Sequence, residues 1–222
     1  MVPKIEEMIK KHTDSILSGQ FSPPEGPCIK CLENPDTFKL HECKKRNFRF
    51  ICDSFVQTAL SLLTRWKCPI CKCTFTVYPS FALPYKRYVM IDIDRLTNDY
   101  IKNNQSYKQT VSNDNEPIGY KDHDGIIDER NLSKTTLWRW IGFFGNLEKT
   151  INGAFNLVRK KDSNCQIFRK AYPVSALKYQ TSERKRIVQN TMKLFHINEF
   201  FQSKKFFGNS IFPSFAASCG WS

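Results

Sequence analysis

An α+β fold follows from three features of this 222-residue chain. Two cysteine pairs share one spacing, Cys28-x-x-Cys31 and Cys68-x-x-Cys71. Between and just after them run segments that alternate basic, aromatic and β-branched residues, and beyond residue 145 apolar residues recur at helical spacing. Together they predict a small N-terminal zinc ribbon of antiparallel strands, then a mainly α region with helix-turn-helix character, then a helical C-terminal tail.

The cysteines come first because their chemistry is the most specific. A two-residue spacer lets one tight turn aim two thiolates at one ion, and two such turns complete a tetrahedral all-cysteine zinc site. Cys28, Cys31, Cys68 and Cys71 are therefore the expected ligands of one Zn2+. That ion is structural, because a closed four-thiolate shell leaves no position for a reacting group. The 36 residues between the pairs exceed a minimal ribbon. His41, Cys43, Cys52 and Cys73 stay open as alternative ligands or parts of a second site, with ordinary buried or surface side chains the preferred reading. Cys165 and Cys219 have no partner nearby in sequence.

Nine cysteines do not indicate secretion here. Met1-Val2-Pro3-Lys4-Ile5-Glu6-Glu7 is not a charged segment leading into an apolar one, and no apolar run approaches the ~18 residues needed to span a bilayer. A reducing compartment is the expected location, where paired cysteines bind metal more often than they cross-link. The expectation is a cytoplasmic, nucleoid-associated protein without a membrane partner.

Charge sharpens the expected partner. The net charge is +13, distributed in blocks. Residues 22–90 carry 11 Lys/Arg against 5 Asp/Glu, residues 91–132 carry 5 against 9, and residues 145–222 carry 13 against 4. Two basic blocks around an acidic one suit a polyanion.

Four regions follow along the chain. Residues 1–27 hold an amphipathic helix over 4–18 and a proline-rich linker at 22–27. Residues 28–84 are the zinc-ribbon domain. Lys39–Cys43, Arg46–Cys52 and Thr74–Tyr78 are read as strands, while Ser54–Leu63 permits a helix or a buried strand. Residues 85–145 are the helix-turn-helix-like region: a helix over 85–101, a polar loop over 103–117, a short helix from Asp124 to Arg130 and a helix capped by Ser133. Residues 146–222 are basic and helical, with helices over 147–160 and 182–196 and an aromatic-rich end.

The Ser133-capped segment carries the second functional signal. A recognition helix presents small hydroxyl and basic residues at its N-terminal end, where they face base edges and phosphates. Ser133, Lys134, Thr135, Thr136 and Arg139 fit that pattern. A capped amphipathic helix without a ligand has the same features, so both readings stay open. Basic residues interleaved with aromatics form the third signal. Among them Lys67, Lys86 and Arg87 adjoin the second cysteine pair and are expected phosphate contacts.

Trp66-Lys67-Cys68-Pro69-Ile70-Cys71 and the segment Thr74 to Tyr88, with the upstream CxxC and the downstream Ser-x-x-Thr-Leu-Trp-Arg-Trp at 133–140, resemble the zinc-ribbon and helix-turn-helix front end of insertion-sequence transposases and short transposon-associated bacterial proteins. The resemblance touches most of residues 28–145. It implies sequence-specific binding of double-stranded DNA and a separately encoded transposase as a partner. One departure is local: the family pattern has a glycine beside the histidine, whereas His41 is followed by Glu42-Cys43.

Catalysis is not expected. A transposase nuclease needs a carboxylate triad holding two metals. The 77 residues after 145 contain only Glu148, Asp162, Glu183 and Glu199, too short a stretch for that domain. Asp92, Asp94 and Asp99 are read as a solvated face. There is no glycine-rich phosphate loop, HExxH or nucleophile elbow. The expected function is a zinc-stabilised DNA-binding accessory or regulatory protein. The alternative is a zinc-ribbon adaptor docking onto a separate transposase or nucleoprotein complex. A third option is RNA binding through rings such as Phe48, Phe50 and Phe75.

Overall fold

Two residues, Asp53 and Ser54, turn the chain back on itself. Both have positive φ, +47° and +64°. Two consecutive left-handed residues make a hairpin turn whose twist matches that of its strands. The turn joins β1 (Lys39–Cys52) to β2 (Phe55–Lys67) in one long antiparallel hairpin. In this computed structural model the described residues are 5–24, 27–28, 30–103, 105–113, 116–122, 124–174, 179 and 181–203. Of the expected aromatic end, Phe206 and the residues after it lie outside them, as does Cys219.

The sheet grows from β2. A short strand, β3 (Thr74–Thr76), pairs antiparallel with the cysteine end of β2. At the turn end β2 pairs in parallel with β6 (Gly119–Lys121), which pairs antiparallel with β7 (Ile127–Asn131). A separate two-stranded sheet joins β4 (Ser112–Asn113) to β5 (Glu116–Pro117). The helices are α1 (Ile5–Leu17), α2 (Met90–Lys102), α3 (Tyr107–Thr110), α4 (Lys134–Gly145), α5 (Glu148–Lys161) and α6 (Ser182–Ser203). The protein is thus α+β, with the sheet rooted in the N-terminal half and the longer helices after it. No helix among the described residues is long and apolar enough to cross a membrane.

Several elements differ from expectation, each for a local reason. The two strands expected at 39–43 and 46–52 are one strand, interrupted only by a register shift between Leu40 and Glu42. The segment after Ser54, whose composition permits either state, is a strand because β1 pairs with it along its whole length. The helix expected from residue 85 begins at Met90. Tyr85 has φ +62°, and the backbone of Arg49 is bonded on both sides, its N–H to Arg87 O (2.8 Å) and its carbonyl to Val89 N–H (2.9 Å). The polar stretch 103–117 contains α3, closed by a capping box between Ser106 and Gln109, and then β4 and β5.

The short helix expected from Asp124 to Arg130 is instead part of a hairpin. Asp122 Oδ1 accepts the backbone N–H groups of Asp124 (3.0 Å) and Ile126 (2.8 Å), and Gly125 takes φ +86°. That side-chain turn competes with helix formation and leaves Ile127–Asn131 extended. In consequence α4 is preceded by a strand.

Three apolar clusters hold these elements. The largest gathers α2, α4, α5 and α6 around Ile93, Leu96, Leu137, Ile141, Phe144 and Leu194, and takes in Val56 from the hairpin. The second seats α1 on the hairpin through Ile9, Phe48, Phe50 and Leu63, with Phe81 and Val89 behind them. Each such buried side chain contributes about 1.5–3 kcal/mol of transfer free energy. The third wraps Cys28 and Cys68 with Phe38 and Trp66.

Candidate metal centre and basic surface

The two cysteine pairs form turns of matching geometry. Cys28 N–H bonds to Glu33 O at 2.9 Å, and Cys68 N–H bonds to Cys73 O at 2.9 Å. The residue after each second cysteine is left-handed, Leu32 at φ +60° and Lys72 at φ +63°. Non-glycine residues adopt that conformation at a cost of roughly 1–2 kcal/mol. Its presence at the equivalent place in both turns shows one backbone solution for aiming two thiols inward. The Lys72 ammonium donates to Pro69 O (2.6 Å) across the second turn.

The hairpin brings these distant turns together. Trp66, two residues before Cys68, packs with Phe38 and Cys28 and donates its indole N–H to Thr64 Oγ1 (3.2 Å). Phe38 stacks on Phe75 with centroids 5.1 Å apart and planes 2° from parallel. Within this apolar wall Cys28 Sγ lies 3.3 Å from Cys71 Sγ, and Cys31 Sγ lies 3.5 Å from Cys68 Sγ. All four sulfurs are within 4.8 Å of one another. A tetrahedral ion with bonds of about 2.3 Å needs sulfurs roughly 3.8 Å apart. The cluster can therefore hold a metal ion, and its four thiols are free rather than cross-linked.

The thiols share charge unequally. Burial opposes ionisation of Cys28, but the backbone amides of Cys31 and Lys30 and the thiols of Cys71 and Cys31 outweigh it and bring Cys28 down to about 7. Cys71 is raised: the amide of Cys73 favours its thiolate, yet burial and the neighbouring thiols of Cys28, Cys31 and Cys73 prevail. Cys31 is raised as well, against a favourable amide from Glu33. The Cys28 thiolate forms readily while Cys31 and Cys71 resist, a repulsion that a bound cation relieves.

Of the remaining possible ligands, Cys43 and His41 are exposed on β1, and Cys52 lies at the hairpin turn beside Asp53, its Sγ 3.4 Å from Asp53 Oδ2. Cys73 packs beside the cluster but outside the group of four.

The expected DNA-contacting residues are dispersed. Lys67 closes β2 next to the cysteines, paired with Lys39 and Thr74. Lys86 is half-buried, its ammonium 3.4 Å from the centroid of the Phe143 ring, and burial lowers its pKa. Arg87 is exposed. Ser133 caps α4, accepting the N–H of Thr135 (3.2 Å) and bonding the Thr135 hydroxyl (2.8 Å). Lys134, Thr135 and Arg139 are exposed and Thr136 is half-buried. Phe143 lies nine positions along α4 from Lys134, about 13 Å at 1.5 Å per residue, so Lys86 sits near the opposite end of that helix.

Two features escaped the sequence reading. Asp92, expected on a solvated face, is only 5% exposed and accepts the N–H of Ile51 at 2.8 Å. Asp94 is half-buried too, and burial raises the pKa of both carboxyls. Acids on a helix read most simply as a solvated face, and nothing local marked Asp92 as buried. The second feature is the Tyr88–Tyr120 hydroxyl pair (2.6 Å), with the Arg49 guanidinium 5.8 and 5.5 Å from the two rings. Of the rings offered for RNA stacking, Phe48 and Phe50 are buried in the core, and Phe75 is half-buried and stacked on Phe38.

These observations define a class, an α+β chain with a four-cysteine cluster at the open end of a long β-hairpin. A family model described as a domain of unknown function, DUF6431, matches residues 28–115, which span both cysteine turns, the hairpin and α2. No curated protein and no solved structure matches the chain.

Proposed function

We propose that this protein is a zinc-stabilised double-stranded DNA-binding protein, a transposase-related accessory or regulatory factor without a nuclease domain of its own. The observation that carries the reading is the position of the cysteine cluster. It clamps the open end of a hairpin whose strands hold seven Lys/Arg and one carboxylate, with a second carboxylate in the turn. A structural Zn2+ on Cys28, Cys31, Cys68 and Cys71 would hold that hairpin rigid. Its cations, with Arg87, Lys134 and Arg139, would displace counterions from a phosphate backbone. The exposed hydroxyls of Ser133 and Thr135 at the N-terminus of α4 add uncharged polar groups, and the helix end a favourable field, for a phosphate.

Gel-shift titration of the zinc-loaded chain with duplex DNA tests this. Binding is expected to weaken with salt, and to fall when Lys134→Ala and Arg139→Ala are combined. Binding that survives full removal of the metal would sink the role given to zinc.

A second reading, a zinc-ribbon adaptor docking onto a separate transposase or nucleoprotein complex, draws on the tips of the two cysteine turns. Leu32 and Ile70 are 78% and 64% exposed there. It predicts that Leu32→Ser with Ile70→Ser abolishes recruitment of a transposase in pull-down while leaving DNA affinity intact.

A further inference from the structure

We propose that the outward face of the β1–β2 hairpin is the base-reading surface of the protein, with Lys45 and Asn47 entering the major groove of duplex DNA. The proposal rests on the DNA-binding reading above and deepens it. The register pairs Lys45 with Leu62, Asn47 with Leu60 and Arg49 with Thr58. Side chains directly opposite one another in an antiparallel pair share a face, and faces alternate along each strand. These six residues therefore form one face.

The other face is covered. There Phe48 and Leu63 pack with Ile9 of α1, and the Thr13 hydroxyl donates to Ser61 Oγ at 2.9 Å. Towards the turn the first face is covered as well, since Ile51 and Val56 join the large core. Between those limits Lys45, Asn47 and Thr58 are exposed, and Leu60 is 54% exposed. Arg49 marks the inner end of the row, held over the rings of Tyr88 and Tyr120.

Charge and chemistry choose the occupant. The open face has no carboxylate. Glu42 points to the other face and is ion-paired with Arg65 at 2.9 Å, and Asp53 lies in the turn. Cations alternating with an amide, a hydroxyl and a leucine match base edges better than a bare phosphate row. Lysine suits guanine O6/N7, asparagine pairs with adenine N6/N7, and apolar carbon meets the thymine methyl. The dimensions agree. The major groove admits a two-stranded ribbon. Same-face residues on a strand recur every ~6.8 Å, two base-pair rises of about 3.4 Å. The helix behind the ribbon and the cysteine cluster at its end keep the face rigid.

The test begins by selecting duplexes from a randomised library with the full-length, zinc-loaded protein. Affinities for the selected duplex and for an unrelated one are then compared among wild type, Asn47→Ala, Lys45→Ala and Lys44→Ala, with zinc content and circular dichroism confirming the fold. Lys44 is exposed on the same strand but faces the other way, so it controls for loss of charge. Asn47→Ala should lose about ten-fold on the selected duplex and nothing on the unrelated one, with an unchanged salt dependence. Lys45→Ala should lose more on the selected duplex than Lys44→Ala does. Unchanged selected-site affinity in Asn47→Ala, or equal losses for the two lysines, would overturn the proposal. So would equal binding of all duplexes by wild type, although phosphate binding would then stand. Preference for single-stranded RNA, or failure to bind any duplex, would remove both this proposal and the reading beneath it.

Discussion

The Asp92 carboxylate accepts the backbone N–H of Ile51 at 2.8 Å, joining the first turn of α2 to the end of the hairpin. The carboxylate is buried and Ile51 is half-buried, so water replaces the bond poorly. Asp92→Ala should lower stability by about 1–3 kcal/mol, the cost of an unsatisfied buried donor, read by urea denaturation.

Asp92 also sets a pH dependence. Burial raises its folded-state pKa above the usual carboxylate value, against the Ile51 amide and Arg95, which favour the charged form. The folded state then binds the proton more tightly than the unfolded chain. Its contribution is most favourable in acid, and it is lost as pH rises from the ordinary value through the raised one. Asp92→Asn, which retains an acceptor for Ile51, should be at least as stable as wild type at neutral pH and should flatten this part of the stability profile. An Asn variant as damaged as Ala at neutral pH would show that the charge itself is needed.

Metal removal should act on the cysteine end first. The apolar group around Cys28 and Cys68 is small, whereas structural zinc supplies about 10–16 kcal/mol in small zinc-dependent peptides. Elemental analysis is expected to find one zinc per chain, and none in Cys28→Ser or Cys68→Ser. Chelation should loosen the turns and change the fluorescence of Trp66, while the α-helical circular dichroism of the C-terminal half largely persists.

Lys86 and Lys134 should separate stability from binding. Lys86 lies over Phe143, so Lys86→Ala should cost about 0.5–2 kcal/mol of stability with little change in DNA affinity. Lys134 is exposed, so Lys134→Ala should leave the melting temperature within error and weaken DNA binding. Opposite results for the pair would reassign which lysine faces the ligand.

Gly145 should tolerate no side chain. A Cβ there would fall inside van der Waals contact with the carbonyl oxygen of Ile187 on α6 and 2.6 Å from its Cγ2. The helices approach closely at this point: Asn190 donates to Gly145 O (3.1 Å) and the Thr191 hydroxyl to Ile141 O (3.0 Å). Gly145→Ala should destabilise by about 1–3 kcal/mol through overpacking, seen as a lowered melting temperature. Gly142, with open space where its Cβ would sit, is the control and should be stabilised slightly by alanine.

Local patterns were legible where a short segment decides its own geometry. The CxxC spacing located the two turns, Ser133 marked the start of α4, and Ser182 that of α6. The segments that stayed open or were misread depend on contacts from elsewhere. Ser54–Leu63 has composition for either state, and only pairing with β1 makes it a strand. Residues 124–130 became extended because Asp122 captured their amides and β6 supplied a partner.

Taken alone, the sequence determined that two cysteine turns exist, that the chain is strongly basic in blocks, and that helices follow the strands, because spacing, charge and periodicity are properties of neighbouring residues. The tertiary structure decided which thiols meet, which carboxylate is buried, and which lysines face solvent rather than an aromatic ring. Those outcomes depend on the register of a hairpin and the packing of helices upon it, and thus on residues far apart in the chain whose encounter no local pattern encodes.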